Sequence, residues 1–365
     1  MRGLQDDGRT ILLEHRRTHL WPGVPLALGS AMLFGASAPL SKLLLGEVGP
    51  WMLAGILYLG AGLGLAVVHF GRELIGLPKT EASLKRVDLP WLAVVIVFGG
   101  MIGPLLLMLG LSSTSASTGS LLLNLEGLAT MGIAWVVFRE NVDRRLLLGA
   151  LAILAGAVLL SWNGGGLRLD TGALFIAGAC LAWGIDNNLT RKLSSADPVQ
   201  IAILKGLVAG SVNFGLALVT GSALPSPAII AAGSIVGLFG VGLSLVMFML
   251  ALRHLGTART GAYFSLAPFI GAVLALVLLH EPATLLLVAA AILMAIGLAL
   301  HLAERHEHEH LHEVLEHEHR HVHDEHHQHV HTGPVSEPHS HWHRHEPARH
   351  SHPHYPDLHH RHRHG

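Results

Sequence analysis

The sequence predicts an all-α membrane protein, with ten transmembrane helices in two inverted five-helix repeats and a disordered His-rich C-terminal tail. Three observations carry this reading. Of the 365 residues 51% are apolar and only 13% are charged, whereas soluble domains carry about 25% charged residues. Ten apolar runs each approach the roughly 20 residues that cross a bilayer. Short motifs also recur between the two halves at a nearly constant offset. A soluble enzyme with one buried core is excluded.

Charge is concentrated in the tail. Residues 303–365 hold 17 of the 49 Asp, Glu, Lys and Arg residues and most of the 29 His. With His neutral, residues 1–302 carry +4 and the tail −5. An acidic, His-rich tail suits cations and disfavours nucleic acid. Cys180 is the single cysteine, so neither a disulfide framework nor a cysteine zinc site is available.

The expected spans are 24–45, 51–70, 91–111, 117–138, 146–162, 172–190, 200–220, 228–250, 260–280 and 284–302. They follow a cytoplasmic N-terminus, 1–23, and group as repeat one (24–162) and repeat two (171–302), ahead of a cytoplasmic tail (303–365). The first run follows Arg2, Arg9, Arg16 and Arg17 and contains Ala36-Ser37-Ala38, which resembles a signal-peptidase site. Pro39 and an apolar run continuing to Leu45 favour a retained anchor. Gly35, Pro39, Gly99, Gly103, Pro104 and Pro268 lie inside spans, where neighbouring helices can satisfy the freed backbone groups.

Lys and Arg set the expected orientation. With the N-terminus inside, the cytoplasmic segments hold fifteen of them and the outer loops hold one, Arg168; Lys42 and Lys205 lie within spans. An even helix count returns the C-terminus to the cytoplasm.

Ser115-Ala116-Ser117-Thr118-Gly119 matches Thr257-Ala258-Arg259-Thr260-Gly261 at an offset of 142. Phe138-Arg139-Glu140 matches Leu279-His280-Glu281, and Phe34-Gly35 with Lys42 matches Trp183-Gly184 with Arg191. Five spans per half is odd, so the second half enters the membrane from the opposite side. Inverted repeats are characteristic of secondary transporters, which expose a midplane site to each side in turn.

The segment Ala251-Leu252-Arg253-His254-Leu255-Gly256-Thr257-Ala258-Arg259, continuing through Pro268 to Leu279-His280-Glu281-Pro282, resembles the signature of the EamA family within the drug/metabolite transporter superfamily. The resemblance spans about residues 24–302. It implies a multi-pass carrier of the bacterial inner membrane with both termini cytoplasmic, moving small solutes, often outward. Pro268 has Glu126 as its counterpart in the first repeat, and the His-rich tail departs from the family pattern. No GxxxxGK[ST] phosphate loop is present, which argues against ATP-driven transport.

Glu126 is the sharpest chemical signal. A charged carboxylate near the bilayer centre costs about 2.5–3.5 kcal/mol or more, so it must be protonated, paired or facing water. At 100° per residue Gly119, Glu126 and Thr130 share one side of the fourth helix. Ser117, Ser120, Asn124 and Gly127 lie nearly opposite. We expect Glu126 to face the cavity as a proton or cation site, the other stripe packing on a neighbour. Asp186, Asn187 and Asn188 spread over about 200° of the sixth helix, so at most two can face a pore. Asp186 can pair with Lys205 or line the path. Asn213 reads as interhelical glue or a ligand. These six residues, Glu126, Asn124, Asp186, Asn187, Asn188 and Asn213, are the candidate translocation pathway. Lys42 and Arg191 suit snorkelling, or Lys42 a place in the substrate path, while Glu140 and Glu281 suit loop anchoring or a gate. The Gly-xxx-Gly pairs at 99/103, 206/210 and 233/237 permit close packing inside the bundle or a homodimer.

The tail alternates His with other residues rather than running uninterrupted. Its candidate metal ligands are His306, His308, His310, His312, His317, His319, His321, His323, His326, His327, His329 and His331. Low complexity and recurrent Pro predict disorder without metal. Imidazoles interleaved with carboxylates suit nickel, cobalt or zinc at several overlapping sites; no cofactor is required. The expected function is secondary transport of a small metabolite, a drug or a divalent metal ion. The alternative is a membrane-anchored metal buffer or sensor that moves nothing. No paired-carboxylate, Ser-His or HExxH arrangement supports an enzyme.

Overall fold

The computed structural model describes residues 22–75, 84–138, 144–161, 170–190, 193, 197–255 and 257–302, together with four short segments of the tail. The first repeat contains α1 (Gly23–Leu44), α2 (Pro50–Leu74), α3 (Leu89–Val95), α4 (Gly103–Ser113), α5 (Ala116–Leu122), α6 (Leu125–Phe138) and α7 (Arg144–Leu160). The second contains α8 (Thr171–Thr190), α9 (Pro198–Val219), α10 (Pro227–Val236), α11 (Ser244–Leu255), α12 (Thr257–Phe264), α13 (Ala267–Leu278) and α14 (Leu285–Leu302).

Local chemistry sets the helix starts. Pro50, Pro198 and Pro227 open α2, α9 and α10, where a missing N–H costs nothing. Ser115 caps α5 and Asp197 caps α9, its carboxylate accepting from Val199 N–H at 2.8 Å. Among the described residues, seven helical stretches are long and apolar enough to cross a membrane: 23–44, 50–74, 86–113, 116–137, 198–219, 227–252 and 259–278. α7, α8 and α14 occupy the remaining three expected positions.

Four of the long stretches are irregular, in repeat-related pairs. A π-helical turn, Ile96–Ile102, joins α3 to α4, and another, Gly237–Leu243, joins α10 to α11. Breaks separate α5 from α6 and α12 from α13, just before Glu126 and Pro268 respectively. Irregular backbone inside a membrane has to be covered by protein or line a cavity.

The packing follows the repeat. α1 lies against α11 and α13, as α8 lies against α4 and α6; α2 pairs with α9, and α7 with α14. Exchanging the halves leaves this pattern unchanged. Phe34 and Trp183, matched in the sequence, meet edge-on with ring centroids 6.4 Å apart. At the α2–α9 crossing a Cβ on Gly206 would approach the Gly62 amide to 2.6 Å, so only glycine permits this backbone approach. Gly99 and Gly103 meet Asp186, Lys205 and Trp183, while Gly233 and Gly237 meet α2. All three Gly-xxx-Gly pairs therefore serve internal packing and supply no homodimer surface.

The tail segments β1 (His306–Leu311), β2 (Leu315–His321), β3 (His339–His345) and β4 (Arg349–His354) form two antiparallel ladders, β1 with β4 and β2 with β3. Alternation of His with other residues has the period of a strand. His312, His323, His326, His327, His329 and His331 lie outside the described residues.

Candidate translocation site

The break at residues 123–124 positions the site. Asn124 Nδ2 donates at 2.8 Å to Leu121 O at the end of α5, a carbonyl that also accepts the Asn124 backbone N–H at 3.1 Å, and lies 3.8 Å from Met294 Sδ on α14. Asn124 is thus turned into packing, with Ser117 and Ser120 buried on the same stripe.

Glu126 sits in the first turn of α6, where the helix dipole favours negative charge. Its Oε1 accepts from Asn187 Nδ2 on α8 at 2.9 Å, and Asn187 also reaches Thr130 Oγ1 at 3.3 Å. Asn187 is exposed and Glu126 half-buried. No heavy atom lies within 4 Å of a Cβ built on Gly127, the next residue of α6.

One residue back, α8 turns Asp186 inward. Its Oδ2 accepts from Lys205 Nζ on α9 at 2.5 Å, and its Oδ1 accepts from Thr190 Oγ1 at 3.2 Å. Both members of this ion pair are at least nine-tenths buried. Gly99, in the first π-helical turn, makes room for them, since a Cβ there would collide with the Asp186 carboxylate. The carbonyl of Gly99 accepts from Tyr58 Oη at 2.8 Å and Trp183 Nε1 at 3.1 Å. Asn213 Nδ2 donates to Met101 O at 3.4 Å in the same turn. Asn188 Nδ2 donates to Gly184 O at 2.8 Å and Thr130 O at 3.0 Å, joining α8 to α6.

The six candidates therefore separate. Glu126 and the exposed Asn187 meet, and Asp186 is paired with Lys205. Asn124, Asn188 and Asn213 hold backbone carbonyls where helices break or touch. Lys205 compensates Asp186, whereas the Glu126 hydrogen bond comes from a neutral amide. Such a carboxylate needs a proton or a cation within a bilayer.

Lys42 does not snorkel. Its Nζ donates to Leu111 O and Thr114 O, because the last carbonyls of α4 need donors where water is scarce. Arg191 and Glu140 lie outside the described residues. Among the described residues no group of three or more His, Cys, Asp or Glu could hold a metal ion. Nothing in the sequence pointed to Tyr58, and Gly99 was marked only as half of a Gly-xxx-Gly pair. The only hint of the helix break was the offset placing Glu126 opposite Pro268.

Residues 21–162 and 170–303 each match the EamA-like transporter family. The chain belongs to that family. A Methanothermobacter thermautotrophicus protein described as an uncharacterized transporter is 28% identical over 292 residues, 76% of this EamA chain and 85% of its own length. The Bacillus subtilis transporter YyaM, also described as uncharacterized, is 23% identical over 260 residues, 67% and 82% of the two chains. A crystal structure 19% identical to the EamA chain superposes with a TM-score of 0.57, covering 76% of this chain and 95% of that one, which shows a shared fold.

Proposed function

We propose that this EamA protein is a secondary carrier that exports small solutes across a bacterial inner membrane by alternating access. Ten helices cross the bilayer, and both termini are cytoplasmic. Glu126 is its proton or cation site, and Asn187 orients that carboxylate towards the path. The observation carrying the proposal is an uncompensated carboxylate at the start of a half-helix, where two repeat-related broken helices meet the opposite half. Discontinuous helices with their ends at the midplane are how carriers of this architecture build ion sites. Asp186 and Lys205 hold the adjoining charges in balance.

The cargo is a small metabolite or drug, or a divalent metal gathered by the His-rich tail on the cytoplasmic side. Uptake of nickel, cobalt and zinc into everted membrane vesicles tests the choice, comparing the full chain with one ending at Glu304. Metal uptake lost with the tail identifies the metal as cargo and the tail as its collector. Metal uptake that persists without the tail makes the tail regulatory. No metal uptake by either chain assigns the cargo to metabolites or drugs. A tail peptide that alone restores metal tolerance to a deletion strain would support the metal-buffer reading and contradict transport.

A further inference from the structure

We infer that Glu281 is a gate latch, closing the bundle end opposite the tail by capping the first repeat's broken helix from the second repeat. This rests on the alternating-access reading. Glu281 follows α13, yet Oε1 accepts from Ala116 N–H at 2.7 Å and Oε2 from Ser117 N–H at 2.9 Å. One carboxylate thus takes both hydrogen bonds across 165 and 164 residues of sequence, with its charge at the positive end of α5.

The surroundings are built for this contact. His280, just before the carboxylate, is the one non-glycine residue with positive φ among those described, at 53°. That left-handed turn ends the helix and swings Glu281 back over α5. On the other partner, Lys42 holds Leu111 O and Thr114 O, and Thr114 Oγ1 donates to Asp170 Oδ2 at 2.9 Å. The turn between α4 and α5 is fixed from three elements, so Glu281 meets a rigid pair of N–H groups. The Lys and Arg distribution puts this end outside. For the site beside Glu126 to open outward, α13 has to part from α5, and the Glu281 bonds are the polar contacts that break.

The test uses the full chain carrying Cys180→Ala and Gly127→Cys, with a membrane-impermeant maleimide applied from either face. Adding Glu281→Gln, which loses one acceptor and the charge, is expected to raise labelling from outside several-fold. Glu281→Asp, which keeps the charge, should lie between the two. Unchanged outside labelling in Glu281→Gln overturns the latch. Labelling of the parent from one face only rejects alternating access instead. Should Glu281→Gln fail to insert, hydrogen exchange of the Ala116 and Ser117 amides in the parent decides: protection supports the latch, and exchange at the free-peptide rate overturns it.

Discussion

Asp186 and Lys205 show how a membrane interior handles charge at the level of single residues. Each would be costly alone, and together they fill the space that Gly99 leaves open. Breaking such a pair costs roughly 3–5 kcal/mol, whereas replacing both members with apolar residues is often close to neutral. Lys205→Ala should therefore lower the unfolding midpoint in detergent sharply, and Lys205→Met combined with Asp186→Leu should recover most of the loss. Equal destabilisation by the single and the double variant would contradict the pairing. Glu126→Gln keeps an oxygen to accept from Asn187, so insertion and stability should stay near the parent while coupled transport is lost. This pairing was legible in the sequence, since Asp186 and Lys205 were the oppositely charged groups on consecutive spans. The part played by Gly99 was not, because a glycine in an apolar run looks the same whether it faces lipid, a helix or an ion pair.

Among the elements, helix regularity separates what the sequence revealed from what it hid. Seven of the ten expected spans are borne out as helices long and apolar enough to cross a membrane among the described residues, because apolar runs of bilayer length have few other uses. The π-helical turns at Ile96–Ile102 and Gly237–Leu243 left no readable pattern, since glycine-rich apolar segments also form plain helices. The break before Glu126 was equally hidden, whereas its counterpart was marked by Pro268. Asn124 could be placed on a packing stripe from periodicity alone, but its bond to the Leu121 carbonyl follows from the break. At the α2–α9 crossing Gly206→Leu should push the helices apart. Overpacking of this kind usually costs 1–3 kcal/mol, and a backbone clash at 2.6 Å places this position at or above that range. A thermal melt of the purified variant checks this, and an unchanged midpoint would mean that the crossing admits a larger side chain.

On the scale of the whole molecule, exchanging the halves preserves the main pairings, α1 with α11 and α13 for α8 with α4 and α6, while the α5–α13 contact belongs to one half-to-half junction alone. The inference of a repeat from Phe34-Gly35 and Trp183-Gly184 agrees with this, because those two aromatics meet each other where the halves join. The tail lies after the last helix, so removing it at Glu304 should leave the bundle's melting midpoint unchanged; a clear drop would show the tail packing on the helices. The cargo was not legible, because family membership fixes the scaffold more firmly than the solute.

The most direct test of alternating access is the reach of an impermeant maleimide to Gly127→Cys, in the Cys180→Ala background, from each face of sealed vesicles. Two conformations that expose the Glu126 site in turn predict labelling from both faces, with the ratio shifting when a proton gradient is imposed. Labelling from one face alone, insensitive to the gradient, would contradict a carrier and leave the bundle an anchor.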